Sequence, residues 1–316
     1  MINVFCIGEI LIDFVAEKQG NDLSKADNFI KKAGGAPANV AAAISKLKGK
    51  SYFVGAVGKD PFGLFLKNTL KNLNVLTTHL QEKEIFTTLA FVSIAENGER
   101  DFVFSRGADA FLDYDPNFKT KLKESLVHFG SATAFLEGNL ESTYSLYLNE
   151  AVTNDCFISF DPNFRTDLWK NNEQDFIKKS IAFIEKADFS KFSIEEAQLI
   201  SGETDIEKAC DKLHKYGTKI IAVTLGSEGT YLSTLSHKEI IKSIKVNPID
   251  TTGAGDAFVG CFLKLVADLK NPKVDLEDFI LLKKMIKTAN VAGALTTTNY
   301  GAIASLPTME TIKRYE

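Results

Sequence analysis

Runs of apolar, β-branched and aromatic residues alternate along the chain with stretches of helical periodicity, and this alternation most constrains the fold. The strand-like runs include VFCIG, YFVGAVG, VHFGSATAF, FISFDPN and IIAVTLG, and the helical stretches include APANVAAAISKLKG and DIEKACDKLHKYG. These strand-like runs are continuously apolar, so helices are expected to cover both faces of the sheet. The sequence therefore predicts an α/β fold, a three-layer sandwich around a mostly parallel central sheet.

One region departs from this pattern and predicts a small β-strand lid. The stretch FTTLAFVSIAENGERDFVFSRG alternates apolar and polar residues on either side of Asn97 and Gly98, a favoured hairpin dipeptide. Further lid strands are expected from about residue 11 to 32, beside those from about 86 to 106, on a single domain spanning 1–316. With period two, one face of the second strand carries Arg100, Phe102, Phe104 and Arg106.

Charge and cysteine usage exclude several classes of partner. The formal net charge is −4, so no basic field favours nucleic acid or anionic lipid. The N-terminal apolar run meets Glu9 and Asp13 too early for a signal segment or a membrane span. No CxxC pair occurs among the four cysteines, Cys6, Cys156, Cys210 and Cys261. Neither a zinc site nor a disulfide framework is predicted, and a reduced, cytoplasmic protein is expected.

Two common nucleotide motifs fail on spacing. Gly253 and Gly255 are followed at the third position by Phe258, so the dinucleotide pattern GxGxxG is not met. The sequence GKS at 49–51 resembles the end of a P-loop, but the earlier glycine would fall at Ile44. These glycines therefore need another explanation.

The segment IDTTGAGDAFVG, residues 249–260, places small residues and an acid at the start of a helix. Gly253, Ala254 and Gly255 leave backbone amides open, and a helix N-terminus favours an anion. Asp256 stands one step inside the helix, where a carboxylate suits two roles. It is either a general base beside a bound phosphate or an acid that caps the helix.

A second glycine cluster, AGGAPANVA at 33–41, opens another helix. Gly34 and Gly35 let a ligand approach the backbone, and the Asn39 amide can donate to and accept from hydroxyl groups. This chemistry suits a polyol. The alternative is a tight turn with Pro37 early in the helix and Asn39 facing water.

Taken together, GGAPANVA, VGAVGKDPFG and DTTGAGDAF resemble, in order and spacing, the two signatures of the ribokinase-like family of sugar kinases. The resemblance spans nearly the whole chain, and GEILIDFV, TLAFVSIAENGERDFVFSRGADAFL and DPNFR look most like the fructokinase branch. It implies ATP-dependent phosphorylation of D-fructose to fructose 6-phosphate. A 2-keto-3-deoxygluconate kinase is the alternative within the enzyme class, and an inactive sugar-binding regulator is the alternative outside it.

The resemblance also implies roles for individual residues. Asp256 would be the general base, and the amides of Gly253, Ala254, Gly255 and Asp256 would form the anion hole. The expected sugar-binding residues are Asp13, Gly34, Gly35, Asn39, Phe102, Phe104, Arg106 and Arg165. Asp161 and Asn163 would lie near the floor of the site. A solvated strand face is the alternative for the lid residues, and a structural turn is the alternative for DPN.

For the nucleotide, the resemblance implies Thr224, Gly226, Gly229 and Asn290. Magnesium is expected with ATP. Glu196 keeps the acid of the family's NxxE element, whereas Ser193 replaces the usual Asn. A potassium site would use Asp250, Thr252, Thr296, Gly301 and Ser305, for which a plain C-terminal loop is the alternative. Lid strands in such kinases often pair across a homodimer.

Overall fold

The computed structural model describes residues 1–18, 20, 22–94, 100–170 and 172–315, without the side chains of Ile94, Arg100 and Asp101. The predicted hairpin turn at Asn97 and Gly98 lies outside these residues. The strands within them are β1 Val4–Ile7, β2 Leu11–Ala16, β3 Phe29–Gly34, β4 Ser51–Gly58, β5 Leu76–Lys83, β6 Leu89–Ile94, β7 Arg100–Ser105, β8 Leu126–Phe129, β9 Phe157–Phe160, β10 Phe189–Ser193, β11 Ile220–Thr224, β12 Thr230–Thr234 and β13 Lys238–Ile241.

A large sheet forms the centre of the molecule. In the described residues its strand order is β13-β12-β11-β10-β9-β8-β1-β4-β5. The strands from β5 to β11 pair in parallel, and β12 and β13 are added antiparallel at one edge. The five strand-like runs of the sequence supply β1, β4, β8, β9 and β11. The predicted mostly parallel α/β sheet is confirmed.

Helices cover both faces of this sheet. They are α1 Ala36–Lys46, α2 Pro61–Asn72, α3 Asn139–Thr153, α4 Thr166–Trp169, α5 Glu173–Ile184, α6 Ile194–Ser201, α7 Ile206–Tyr216, α8 Ala254–Ala267, α9 Pro272–Asp275, α10 Phe279–Thr296 and α11 Met309–Lys313. Val4 and Cys6 of β1 pack in the core beneath α1, α8 and α10, whereas Phe5 and Ile7 pack beneath α3 and α5. Burial on both faces explains the continuous apolar strands.

A second, smaller sheet has the order β3-β2-β6-β7. β2 pairs antiparallel with β3 and parallel with β6, and β6 pairs antiparallel with β7. The predicted small sheet is therefore present, and we call these four strands the lid sheet. β3 leads directly into the turn before α1, so the lid sheet and α1 are joined by the glycine pair Gly34 and Gly35.

Two helices that position the candidate site pack tightly against each other. A Cβ on Gly260 of α8 would lie 2.5 Å from the Cβ of Ala43 and 3.0 Å from the carbonyl oxygen of Val40, both in α1. Glycine at this position therefore lets the two helix backbones approach closely. None of the helices in the described part of the chain has the length and apolar character that crossing a membrane requires.

Candidate active site

Helix α8 begins with its N-terminal amides open. Gly253 occupies the N-cap position with φ of 79°, and no side chain caps this end among the described residues. A Cβ on Gly253 would lie 2.3 Å from the Cβ of Ala302, so this position requires glycine both for its backbone angle and for space. The Ala254 amide makes a long hydrogen bond, 3.3 Å, to the Thr251 carbonyl. Open amides at a helix N-terminus form an anion-binding site.

Asp256 projects from this first turn and is held by a residue of α1. Asn39 Nδ2 donates to Asp256 Oδ2 at 2.8 Å, although the two residues are 217 positions apart in sequence. Burial raises the pKa of Asp256 to about 6, with the Asn39 hydrogen bond opposing it. The carboxylate is therefore ionised at neutral pH yet basic enough to accept a proton, as a general base requires.

The turn before α1 brings together the other small residues that the sequence singled out. Gly35 is the N-cap residue of α1, with φ of 105°. A Cβ on Gly34 would lie 1.9 Å from Asp13 Oδ2, so glycine makes room for that carboxylate. Asn39 Oδ1 is buried and accepts no hydrogen bond in the described part of the chain. An unsatisfied buried acceptor beside two glycines suits a hydroxyl-rich ligand.

The register of the lid sheet puts Asp13 and Phe104 on the same face. Asp13 of β2 pairs with Ala90 of β6, and Ala90 pairs with Phe104 of β7. Directly paired residues point to the same side of a sheet. The rings of Phe102 and Phe104 stack with centroids 6.0 Å apart, and both are partly exposed. Burial raises the pKa of Asp13 to about 6, with Arg165 and Lys32 opposing it.

The two candidate arginines occupy different environments. Arg106 Nε contacts Asp109 at 3.2 Å, and its guanidinium also donates to the carbonyls of Glu137 and Thr133. These partners tie it to the base of the lid sheet, and a sugar contact for Arg106 stays a prediction. Arg165 is exposed, and its charge opposes the raised pKa of both Asp13 and Asp256. Arg165 therefore lies within electrostatic reach of both carboxylates.

Lys191 is a site residue that the sequence analysis missed. It lies in β10 with its side chain buried, 3.2 Å from the Asp161 carboxylate. A Cβ on Gly255 would lie 3.3 Å from Lys191 Nζ, which places the ammonium against the start of α8. Burial opposes the charge of Lys191, but Asp161, Glu196 and Asp256 hold its pKa above the ordinary value. The sequence did contain a signal for Lys191, because a lysine between Phe189 and Phe192 is unusual in a buried strand.

The DPN segment lies beside Lys191, because Asp161 pairs with its ammonium. Asp161 Oδ1 accepts the Asn163 amide at 3.2 Å. Asn163 has a φ of 51°, which asparagine tolerates better than most residues. Its side-chain amide donates to the Gly130 carbonyl at 3.1 Å. The segment therefore forms a structural turn, and its predicted place near the floor of the active site stays a prediction.

Ser193 and Glu196 form a capping box at the start of α6. Ser193 Oγ accepts the Glu196 amide at 3.1 Å, and Glu196 Oε2 accepts the Ser193 amide at 2.7 Å. Glu196 Oε1 accepts the Phe164 amide at 2.8 Å. Serine is a favourable N-cap residue for a capping box, so it can replace the asparagine that is usual at this position.

The predicted nucleotide residues lie at the carboxyl end of β11 and on α10. A Cβ on Gly226 would meet open space, and Thr224 Oγ1 donates to the Phe192 carbonyl at 3.2 Å. Gly229 has φ of 109° and closes this turn. Asn290 is buried, where Oδ1 accepts from Thr230 and Nδ2 donates to the Ile241 carbonyl. Its amide thus joins α10 to the antiparallel edge of the sheet.

Four of the five candidate potassium residues meet behind α8. Asp250 accepts the Thr252 amide at 2.9 Å and the Gly301 amide at 2.8 Å, and the Ser305 amide donates to the Gly301 carbonyl at 3.2 Å. Thr296 instead directs its hydroxyl to the Ala292 carbonyl within α10. Ser305 Oγ is buried without a hydrogen-bond partner among the described residues. Within the same residues, no three His, Cys, Asp or Glu side chains gather as a metal-ligand cluster.

Comparison with known proteins places this site in a family. The family model described as pfkB family carbohydrate kinase matches residues 1–309. The chain belongs to the pfkB family of carbohydrate kinases. It is 39% identical over 314 residues to fructokinase-2 of Zea mays, covering 98% of this chain and 92% of the relative.

Solved structures of fructokinases have the same fold. A fructokinase from Vibrio cholerae O395, bound to fructose, ADP and calcium ion, has a TM-score of 0.86 at 32% identity and covers 100% of this chain and 99% of its own. A double mutant of that fructokinase, bound to fructose, ADP and potassium ion, has a TM-score of 0.86 at 29% identity, covering 100% and 98%. The pfkB-family fold therefore extends over the whole chain.

Proposed function

We propose that this chain is an ATP-dependent fructokinase that transfers the γ-phosphoryl group of ATP to the 6-hydroxyl of D-fructose. One observation carries the proposal: Asn39 of the α1 turn holds the Asp256 carboxylate at the open start of α8. That contact joins a polyol-binding turn to an anion-binding helix end. The similarity to fructokinases over nearly the full length supports fructose as the acceptor.

In the proposed mechanism, the sugar lies between the α1 turn and the lid sheet. Asp13 and Asn39 Oδ1 bind its hydroxyl groups, and the face that carries Phe102 and Phe104 excludes water. Asp256 accepts the proton of the attacking hydroxyl as the phosphoryl group is transferred. Water excluded from the site cannot compete as the acceptor.

The charge on the transferred phosphoryl group is met by fixed donors. The open amides at the start of α8 and the Lys191 ammonium face the same place, and both are held there before the reaction. Preorganised donors of this kind lower the barrier because they need not reorganise in the transition state. Arg165 supplies a second, exposed cation near Asp13 and Asp256.

Magnesium would enter with ATP, and it would offset the negative charge of the phosphates. The donor set for potassium fits the loop behind α8, because the unpartnered Ser305 hydroxyl and the Gly301 segment offer hard oxygen atoms. We propose that Asp250, Thr252, Gly301 and Ser305 hold potassium there. Glu196 already accepts two backbone amides, so any effect of it on magnesium would pass through water.

Two further features belong to the proposal. We treat residues 1–316 as one kinase domain that carries the lid sheet, and a homodimer through the lid sheet stays a prediction. Ile30 and Val103 of that sheet are about half exposed, at 48% and 53%. All four cysteines are buried, and none of them forms a disulfide bond among the described residues, which suits the reducing cytoplasm.

The decisive test is a coupled assay of ADP release with fructose, 2-keto-3-deoxygluconate, ribose, glucose and adenosine, with and without potassium. We expect kcat/KM to be highest on fructose, and phosphorus NMR of the product to show fructose 6-phosphate. A higher kcat/KM on 2-keto-3-deoxygluconate than on fructose would mean that the keto acid is the acceptor. No turnover with any sugar, together with sugar binding, would favour the inactive regulator.

A further inference from the structure

Glu9 is a buried carboxylate that lies directly behind the α1 turn. The residue is 2% exposed and follows β1. Its Oε1 accepts the Ala36 amide at 3.2 Å and the Ala132 amide at 3.4 Å, and its Oε2 accepts the Ser131 hydroxyl. Three donors therefore converge on one side chain that the mechanism above does not use. A buried carboxylate is retained only where such partners stabilise it.

Glu9 supplies the cap that α1 lacks. Gly35, the N-cap residue of α1, has no side chain with which to cap the helix, and the first helical amide is that of Ala36. The Glu9 carboxylate accepts this amide from 27 positions earlier in the chain. A carboxylate at a helix N-terminus satisfies an unpaired donor and interacts favourably with the helix dipole.

The backbone of Glu9 also determines the position of Gly35. A Cβ on Gly35 would lie 2.6 Å from the Glu9 carbonyl oxygen and 2.9 Å from the Ile10 Cα. The turn therefore lies flat against the segment that follows β1. Both the backbone and the side chain of Glu9 hold the turn on which the proposed sugar contacts depend.

We propose that Glu9 is a positioning residue for the acceptor sugar: its carboxylate fixes the first turn of α1, so that Gly34, Gly35 and Asn39 face the sugar hydroxyls. This inference rests on the proposed function, because it assigns a role within the same site. Glu9 itself does not touch the sugar.

The catalytic contact has separate support. Asn39 reaches Asp256 from α1. Helix α1 is held against α8 by the close packing at Gly260, one to two turns along α1 from the end that Glu9 caps. Loss of the cap should therefore loosen the glycine turn more than it displaces Asp256. Sugar affinity should fall by a larger factor than kcat.

The test compares Glu9→Gln with Asp60→Asn. Asp60 caps α2 in a similar way, because it accepts the Phe62 and Gly63 amides at 2.9 and 2.7 Å and the Thr87 amide at 2.6 Å. Both changes weaken a carboxylate cap, but only the first lies behind the α1 turn. Fructose dissociation constants are measured by titration calorimetry without nucleotide, at about pH 8, where the carboxylates are ionised.

We expect Glu9→Gln to raise the fructose dissociation constant about tenfold, while kcat stays within about threefold and the KM for ATP within about twofold. Asp60→Asn should leave the fructose dissociation constant within about twofold, although both variants lower the melting temperature. Ser131→Ala, which removes one donor to Glu9, should raise the constant about threefold.

An unchanged fructose dissociation constant in Glu9→Gln would overturn the inference, as would an equal rise in Asp60→Asn. If Glu9→Gln does not fold, Ser131→Ala decides, and normal fructose binding by that variant overturns the inference. The proposed function is tested separately, and it would be wrong if the wild-type protein did not phosphorylate fructose. An active wild type with a normal Glu9→Gln variant disproves only the role of Glu9.

Discussion

Helices α1 and α8 begin in the same way, but they have different roles in the proposed function. Each starts at a glycine with positive φ, Gly35 at 105° and Gly253 at 79°, and neither glycine offers a capping side chain. At α1 the first amide is taken by the Glu9 carboxylate. At α8 the described residues provide no side-chain cap, and the Lys191 ammonium lies against Gly255.

In the proposed function, these two glycine starts bind different ligands. A negative carboxylate at the start of α1 leaves a turn that suits neutral hydroxyl groups. Open amides with a buried cation at the start of α8 suit a phosphate. Several other helices are capped by their own residues, such as Asp60 for α2, Asp205 for α7 and Asp278 for α10, whereas α3 and α5 also begin without a side-chain cap. What distinguishes α1 and α8 is therefore the group that lies at each start, the Glu9 carboxylate at α1 and the Lys191 ammonium at α8.

The largest expected effect is that of Asp256→Asn on the α8 side. Without the base, kcat should fall about 1,000-fold, while fructose and ATP still bind. Because burial raises the pKa of Asp256 to about 6, the buried carboxylate is ionised above that pH and lowers the stability of the fold there. Removing the charge should then raise the melting temperature by about 3 °C near pH 8. Turnover close to that of the wild type would contradict the assignment.

The second largest effect is expected at the start of α8, where the phosphate is proposed to bind. Lys191→Met removes the buried cation beside Gly255, and we expect kcat to fall about 100-fold in steady-state assays. The matched control is Lys219→Met, because Lys219 pairs with Asp188 at 2.9 Å but is largely exposed, at the start of β11 rather than its carboxyl end. It should leave kcat unchanged. Equal losses in both variants would mean a general effect on folding.

Asn39→Ala tests the point where the two helices meet. It removes the donor to Asp256 and the unsatisfied acceptor Oδ1. We expect the KM for fructose to rise about 20-fold and the KM for ATP to change little, because the nucleotide residues lie on other elements. Asn154→Ala, at the end of α3, is the control. An equal rise in both KM values would argue against a sugar contact.

The pH dependence follows from the two carboxylates whose pKa values burial raises to about 6, Asp13 and Asp256. Both must be ionised to act, so activity should fall as the pH drops below about 6, by about 100-fold at pH 5 because each group contributes about tenfold. Circular dichroism at each pH separates this loss from acid unfolding. A flat profile down to about pH 5 would show that neither group titrates in the working range.

The smallest effect concerns the loop behind α8. Ser305→Ala removes the buried hydroxyl that has no partner among the described residues. We expect stimulation by potassium to fall about threefold, with activity in the absence of potassium unchanged. Thr296→Val is the comparison, because the Thr296 hydroxyl bonds within its own helix. Potassium stimulation that is lost equally in both would favour a plain structural loop.

The sequence predicted much of this arrangement because its signals are local. Continuous apolar strands indicated the covered parallel sheet, and the small residues before Asn39 and Asp256 indicated two special helix starts. Lys191 and Glu9 were not predicted because no motif marks them: Lys191 lies between Ser190 and Phe192 in β10, and Glu9 follows the apolar strand β1. Only the fold shows that Lys191 lies beside Gly255 and that Glu9 reaches Ala36.

The lid sheet is a second case in which local sequence patterns predict only part of the arrangement. Period two correctly placed Phe102 and Phe104 on one face, where their rings stack. The pairing through Ala90 that puts Asp13 on this face depends on a parallel contact between β2 and β6. Such a contact joins segments separated by several elements, and no local pattern specifies its register. Arg106 shares the predicted periodicity, but in the fold it is tied to Asp109 and two carbonyls.

The sequence by itself determined the fold class, the family and the two glycine starts, because strand burial, helix periodicity and glycine backbone freedom are properties of short segments. The tertiary structure alone decided which charges meet. Asn39 reaches Asp256 across 217 positions, and Glu9 reaches Ser131 across 122. These contacts exist because crossover connections bring the carboxyl ends of parallel strands to one edge of the sheet, where side chains distant in sequence converge.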